Sequence, residues 1–246
     1  MAWSDQDFRA PPPGLGSLDL REIAGRDLRG IGVEFGAGAS PYPVPLSCRV
    51  LFADRLALGD LTEEIYPGQI KEDLVEPDLV TDLDTCAQIA EQSMDFVIAC
   101  HVIEHTRNPI GAIVQAWRRL RSGGSLVLAV PARDRTFDRD REITPLSHLI
   151  ADFENPDGDE ARARDYPHYE EFYSRAFRVP ENEYRATVDA RFAERYAIHY
   201  HVWTYASFLA MVEWIRRGSA PFASVWSHPG GADPERDNEF HVVVVK

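Results

Sequence analysis

The chain has 246 residues, 44% of them hydrophobic and 27% charged, the composition of a globular protein able to bury one large core. Forty acidic against 26 basic residues leave a net charge of −14, a field that repels phosphate backbones and argues against a dedicated nucleic-acid binder. No apolar run approaches the ~20 residues that span a bilayer, and Met1–Ala10 lacks a signal peptide's apolar stretch. Three widely spaced cysteines, Cys48, Cys86 and Cys100, fit a reducing cytoplasm better than a disulfide framework or a cysteine zinc site.

The first 30 residues read as a polar lead-in holding Pro11–Pro13 and a short amphipathic stretch, Leu18–Leu28. Ile31–Phe35 (IGVEF) is a buried-strand run that enters a tight turn at Gly36–Ala37–Gly38. Strand-like runs follow at Arg49–Ala53 ending in Asp54, at Leu79–Leu83 and at Phe96–Ala99. Ile110–Leu120 has its apolar residues on one helical face, with Gly123–Gly124 expected to stop the helix. Ser125–Val130 is the fifth strand. Short apolar strands alternating with helical segments predict an α/β fold, a mostly parallel sheet with helices on both faces.

That rhythm breaks between residues 131 and 200, where 11 Arg, 16 acidic residues and scattered aromatics replace strand patterns. A helical insertion after strand 5 is predicted there, too tied to the core to be a separate domain. Thr204–Arg217 reads as a helix ending before Gly218, and Phe222–Ser227 with Glu239–Val245 as a closing antiparallel pair. The whole chain, 1–246, is thus expected to form one domain.

A strand, a glycine turn, a second strand and an acid form the layout of an adenosine-binding α/β half. The glycines let backbone approach a ligand closely, and Asp54, 18 residues beyond Gly36, suits ribose hydroxyls. Pro41 stands where a phosphate-binding turn wants its third glycine, and Pro43 and Pro45 remove further N–H donors. Glu34 would repel a pyrophosphate but suits an ammonium group. S-adenosylmethionine, with an α-ammonium, a sulfonium and no phosphate, fits these residues better than NAD.

Val33–Gly38 (VEFGAG) resembles the first motif of class I S-adenosylmethionine-dependent methyltransferases. The similarity continues through Phe52–Asp54, Asp82–Leu83, Met94–His105 (MDFVIACHVIEH) and Leu120–Leu126 (LRSGGSL). Ala39–Pro45 and Thr136–Arg141 are similar to a bacterial subgroup of undefined substrate often linked with glycan assembly. The resemblance implies a Rossmann-like sheet, S-adenosyl-L-methionine as cofactor, and methyl transfer to a hydroxyl, or less readily an amine, of a small-molecule or glycan-like acceptor. It implies that Glu34 holds the methionine ammonium, that Gly36, Ala37 and Gly38 pass under the cofactor, and that Asp54 with Arg55 lies at the ribose. Asp82 and Leu83 would face the adenine, and Cys100 and His101 the sulfonium.

A hydroxyl acceptor needs a positioned base, and histidine is the natural one near neutral pH. His148, in a segment delivered by strand 5, is the first candidate, followed by His101 and His105. His101 and His105 are four apart and share a face if Val102 starts a helix, spacing that by itself is weak evidence for a metal, and none is expected. Arg139 and Arg141 suit either an anionic acceptor or salt bridges to Asp138 and Asp140, and His199 or His201 is also placed to face the cleft. The insertion 131–200 is expected to act as a lid over the acceptor, and its aromatics suit a homodimer interface as readily. The competing readings are an inactive cofactor-binding partner or regulatory subunit and an NAD-dependent oxidoreductase.

Overall fold

The computed structural model describes residues 16–246 except 67, 69, 71, 72 and 234. Pro11–Pro13 and the Met1–Ala10 segment lie outside the described residues. A seven-stranded sheet runs through the molecule in the order β3-β2-β1-β4-β5-β7-β6. Its strands are β1 (Ile31–Phe35), β2 (Arg49–Asp54), β3 (Leu79–Val80), β4 (Met94–Cys100), β5 (Leu120–Pro131), β6 (Ser224–His228) and β7 (Glu239–Val245). β1 to β5 pair in parallel, and β7 closes antiparallel to both β5 and β6. This is the mostly parallel, Rossmann-like sheet expected from the sequence.

Strand alternation sends Val33 and Phe35 into one core layer and Glu34 to the other face. The larger layer lies under α3 (Pro109–Arg119), α4 (Leu146–Glu154) and α7 (Tyr205–Arg217). Local chemistry fixes these helices. The Asn108 side chain accepts from the Gly111 N–H at 2.8 Å, with Pro109 opening α3, and Thr204 accepts from the Ser207 N–H to start α7. The opposite face is covered by α1 (Ser17–Gly25) and by the proline stretch, which forms neither helix nor strand and seats Tyr42 at 3% exposure.

Two local expectations are corrected. α3 stops at Arg119 and β5 begins at Leu120, so Gly123–Gly124 lie inside the strand. Gly123 adopts φ +78° there and donates to the Lys246 carbonyl, a bond that continues the sheet. The third strand is only Leu79–Val80, because Asp82 accepts from the Thr85 backbone and hydroxyl and turns the chain.

The segment after β5 is helical, with α4, then α5 (Gly158–Glu171) and α6 (Glu181–Glu194). It has its own cluster of Tyr169, Phe172, Tyr173, Val188, Ile198 and Tyr200. Arg141, 1% exposed, ties it down by donating to Asp138 and to the His199 and Tyr200 carbonyls. Arg141 is therefore structural, and Arg139 and Asp140 remain in the surface turn that precedes it.

Candidate active site

A cleft of about 1200 Å³ opens at the carboxyl ends of β1 to β4, where the strand order reverses between β1 and β4. β1 contributes Phe35 and Gly36, β2 Asp54 and Arg55, and the turn after β3 Asp82 and Leu83. Beyond β4 come His101, Val102 and His105. Gly36 has φ +67°, and a β-carbon there would stand 2.7 Å from Val102, so only glycine lets the chain turn under the cleft floor. Burial raises the Asp54 carboxyl above its usual range, against the pull of the Leu56 and Arg55 backbone and the Arg55 charge.

Six expected cofactor residues thus share one surface: Gly36, Asp54, Arg55, Asp82, Leu83 and His101. Four do not line it. Glu34 is 1% exposed and its Oε1 accepts from the Tyr42 N–H at 2.9 Å, so it holds the proline loop and does not reach the cleft surface. Cys100 packs on the far side of the sheet, where burial raises its thiol well above its ordinary value. Ala37 is not among the residues lining the cleft, and Gly38 is covered by Tyr66, whose hydroxyl lies 2.6 Å from where a β-carbon would be.

The three histidines expected to do chemistry separate. His101, at φ +53°, donates from Nε2 to Glu239 at 2.8 Å. Burial opposes its charged form, but the bond to Glu239 and the field of Glu104 outweigh that and raise its pKa. Glu239, fully buried, also takes Nε and an amino group of Arg21 at 2.7 and 2.6 Å. Burial raises its pKa less than the His101 and Arg21 bonds lower it, to about 2. His105 donates from Nδ1 to the Ile198 carbonyl at 3.0 Å, which leaves the Nε2 lone pair free. Its ring is reachable through the cleft, yet the surrounding protein desolvates it and lowers its pKa. Val102 does not start an α-helix: residues Ile103–His105 form one 3₁₀ turn, and His101 Nδ1 and His105 Nε2 each stand 3.9 Å from the same Glu104 oxygen, Oε1.

His148 does not line this cleft. It sits on α4 in a second pocket, beside His168 and Arg164, and the His168 ring packs 6.3 Å from that of Tyr200, a wall residue of the large cleft. His148 thus opens on a different pocket from the carboxyl ends of β1 to β4, and the chain from His199 to Trp203 is held to the core through Glu104 and Thr144. His199 is turned to Asp138, Nδ1 to Oδ2 at 2.7 Å, and His201 is 2% exposed and donates to the Arg107 carbonyl.

The insertion does contribute to the cleft, through Phe153, Asp157, Arg195 and Tyr200. Sequence reasoning passed over Tyr66, Arg107, Tyr200 and Glu239. Glu239 alone carried a signal, since it and His241 are the two ionisable residues in the otherwise apolar β7.

Residues 33–128 match the methyltransferase domain family. Over those residues the chain is similar to methyltransferase domains. The match spans the glycine turn, both acids and β4 to β5, and it implies S-adenosylmethionine as the cofactor. No curated protein matches the chain in sequence. Among solved structures, a SAM-dependent methyltransferase from Thermotoga maritima, possible histamine N-methyltransferase, shares 16% identity at TM-score 0.47, over 93% of this chain and 88% of that one. The CurJ carbon methyltransferase shares 14% identity at TM-score 0.48, over 94% of this chain and 54% of that one. A methyltransferase from Methanococcus maripaludis shares 14% at TM-score 0.43, over 94% and 84%. The cleft fits the cofactor by its own chemistry. It offers a glycine floor that admits close approach and two carboxylates, and no glycine-rich helix start follows β1, where residues 41–45 form neither helix nor strand. Among the described residues no helix is long and apolar enough to cross a membrane.

Proposed function

We propose that this methyltransferase domain methylates a hydroxyl of a small polyhydroxylated or glycan-like acceptor, with His105 as the base. The observation that carries this reading is the free Nε2 of His105, held by the Ile198 carbonyl in the cleft that also contains Asp54 and Asp82. The bound cofactor supplies a methyl group on a sulfonium, open to in-line attack. Asp54 would accept hydrogen bonds from the ribose hydroxyls, Asp82 and Leu83 would meet the adenine edge, and Gly36 would clear space beneath. His101 stands at the tip of β4 with Nε2 committed to Glu239, and it orients the floor without taking a proton.

An amine loses its proton to solvent, whereas an alcohol needs a base as its oxygen attacks. A lowered pKa keeps His105 neutral at pH 7, with the lone pair available. The cleft exceeds the ~300–1,000 Å³ common for one ligand. Its wall from the insertion, with Arg107, Asn108 and Gln115 at its side, suits an acceptor rich in hydroxyls and supports a covering role for residues 131–200.

The test is methyl transfer from labelled S-adenosylmethionine to a panel of sugars and their amino analogues. His105→Gln is expected to lower turnover on the hydroxyl acceptor by ~10²-fold or more and to leave cofactor affinity within a few-fold. Equal loss of cofactor binding, or unchanged turnover, would overturn the assignment.

A further inference from the structure

The pocket that holds His148 contains a second constellation that the methyltransferase reading does not use. His148, His168 and His201 bring one ring nitrogen each within 4.8 Å of one another. His148 Nε2 lies 2.9 Å from His168 Nε2 and 3.1 Å from Asp152 Oδ2. One nitrogen carries at most one proton, so it cannot donate to both neighbours. If it donates to Asp152, His168 faces an N–H it can only accept from. If it accepts from His168, a carboxylate oxygen faces its lone pair. Every protonation state leaves one close contact unsatisfied. His201 adds a buried Nδ1 without a partner, while its Nε2 is fixed by the Arg107 carbonyl. Asp152 is aimed by Arg164, whose Nε donates to Oδ1 at 2.7 Å.

The geometry points to a binding site for a zinc-class divalent cation, with His148, His168 and His201 as nitrogen ligands and Asp152 as the oxygen donor. A tetrahedral ion with ligands at ~2.0–2.1 Å separates its ligand atoms by about 3.3 Å, and the contacts at His148 already lie within a few tenths of that. Three imidazoles select zinc, copper, nickel or iron over magnesium or calcium. The histidines around Glu104 each have one ring nitrogen held elsewhere, by Glu239, the Ile198 carbonyl and Asp138, and stand 3.9–4.0 Å from its oxygen. His148 and His168 open on a pocket of about 500 Å³, which gives the ion an entry path and a solvent-facing side. The ligands come from α4, α5 and the segment leading to α7, so the ion would clamp the insertion against the wall of the large cleft.

The experiment titrates the chelator-treated protein with Zn²⁺ against a chromophoric competitor. One equivalent is expected, with His168→Ala and His148→Ala each weakening it by more than the ~10–100-fold that an outer partner costs. His228→Ala and His199→Ala should retain the full equivalent. No stoichiometric binding, or retention in both ligand variants, would overturn the site, as would loss in His199→Ala alone. If the ligand variants do not fold by far-ultraviolet circular dichroism, Co²⁺ bound to the wild-type protein decides. An intense four-coordinate ligand-field spectrum supports the site, and a weak six-coordinate one overturns it.

Discussion

Glu34 offers a quantitative check on the fold's electrostatics. Its carboxyl is 1% exposed, Oε1 has the Tyr42 N–H, and Oε2 has no partner. The nearest cation, Arg21, is engaged by Glu239. Burial therefore pushes the pKa up from 4.5 to about 7, with the Tyr42 bond and the Arg21 charge only partly opposing it. For an acid with a raised folded-state pKa, the folded protein binds more protons than the unfolded chain between those two values. Stability accordingly falls as pH rises through that window, and the loss is complete above pH 7. At about 1.36 kcal/mol per unit the full loss is about 3 kcal/mol, of which about 2.5 kcal/mol falls between pH 5 and pH 8. Glu34→Gln keeps the acceptor for Tyr42 and abolishes the titration. Denaturant unfolding without ligand should show the variant gaining about 2.5 kcal/mol on wild type from pH 5 to pH 8. At pH 5 it should be no more stable than wild type, since its amide leaves a buried donor unpaired. Two stability curves parallel in pH would refute the burial argument.

The same carboxylate separates binding from support. Asp54→Ala should weaken S-adenosylmethionine by roughly 1.5–3 kcal/mol in calorimetry, whereas Glu34→Gln, off the cleft surface, should stay within a few-fold. NAD should bind more weakly than either S-adenosylmethionine or its demethylated product. Glu239→Gln breaks the contacts to Arg21 and His101 and should cost about 3 kcal/mol above pH 5. Because the folded-state pKa of Glu239 is depressed to about 2, that contribution fades as pH drops from about 4.5 toward 2. Wild type and variant should converge there in acid unfolding. The rate deficit of His105→Gln should shrink at high pH, where solvent takes the acceptor proton.

What the sequence revealed of this protein was set by local chemistry. β1 and β2 stand within one residue of where their apolar runs predict, because a buried parallel strand must be apolar almost throughout and must end at its turn. α3 and α7 were legible for the same reason, each with a cap and a basic last turn. β3 was overrun because Leu83 is apolar and buried but belongs to the turn that Asp82 organises. The candidate site divides along the same line. Gly36, Asp54 and Asp82 follow strand ends, so chain order alone brings them together. His148 depends on where an insertion of 70 residues folds back, and nothing local encodes that. Glu34 was misplaced by a face: strand alternation puts it opposite Val33 and Phe35, hence away from the larger layer.

Proton accounting explains why three histidines close in space have different roles. His101 is bound through Nε2 to a carboxylate that is itself held by Arg21, so removing its proton would leave a fully buried Glu239 with one fewer donor. His199 is fixed through Nδ1 to Asp138. His105 is fixed through Nδ1 to the Ile198 carbonyl, and burial, with the charges of His199 and Arg55, lowers its pKa against the opposing pull of Glu104 and of that carbonyl. Glu104, with both oxygens buried and unpartnered, stands 3.9 Å from that nitrogen. The base proposed at His105 thus has behind it a buried carboxyl group without a hydrogen bond of its own, which fits the general-base reading.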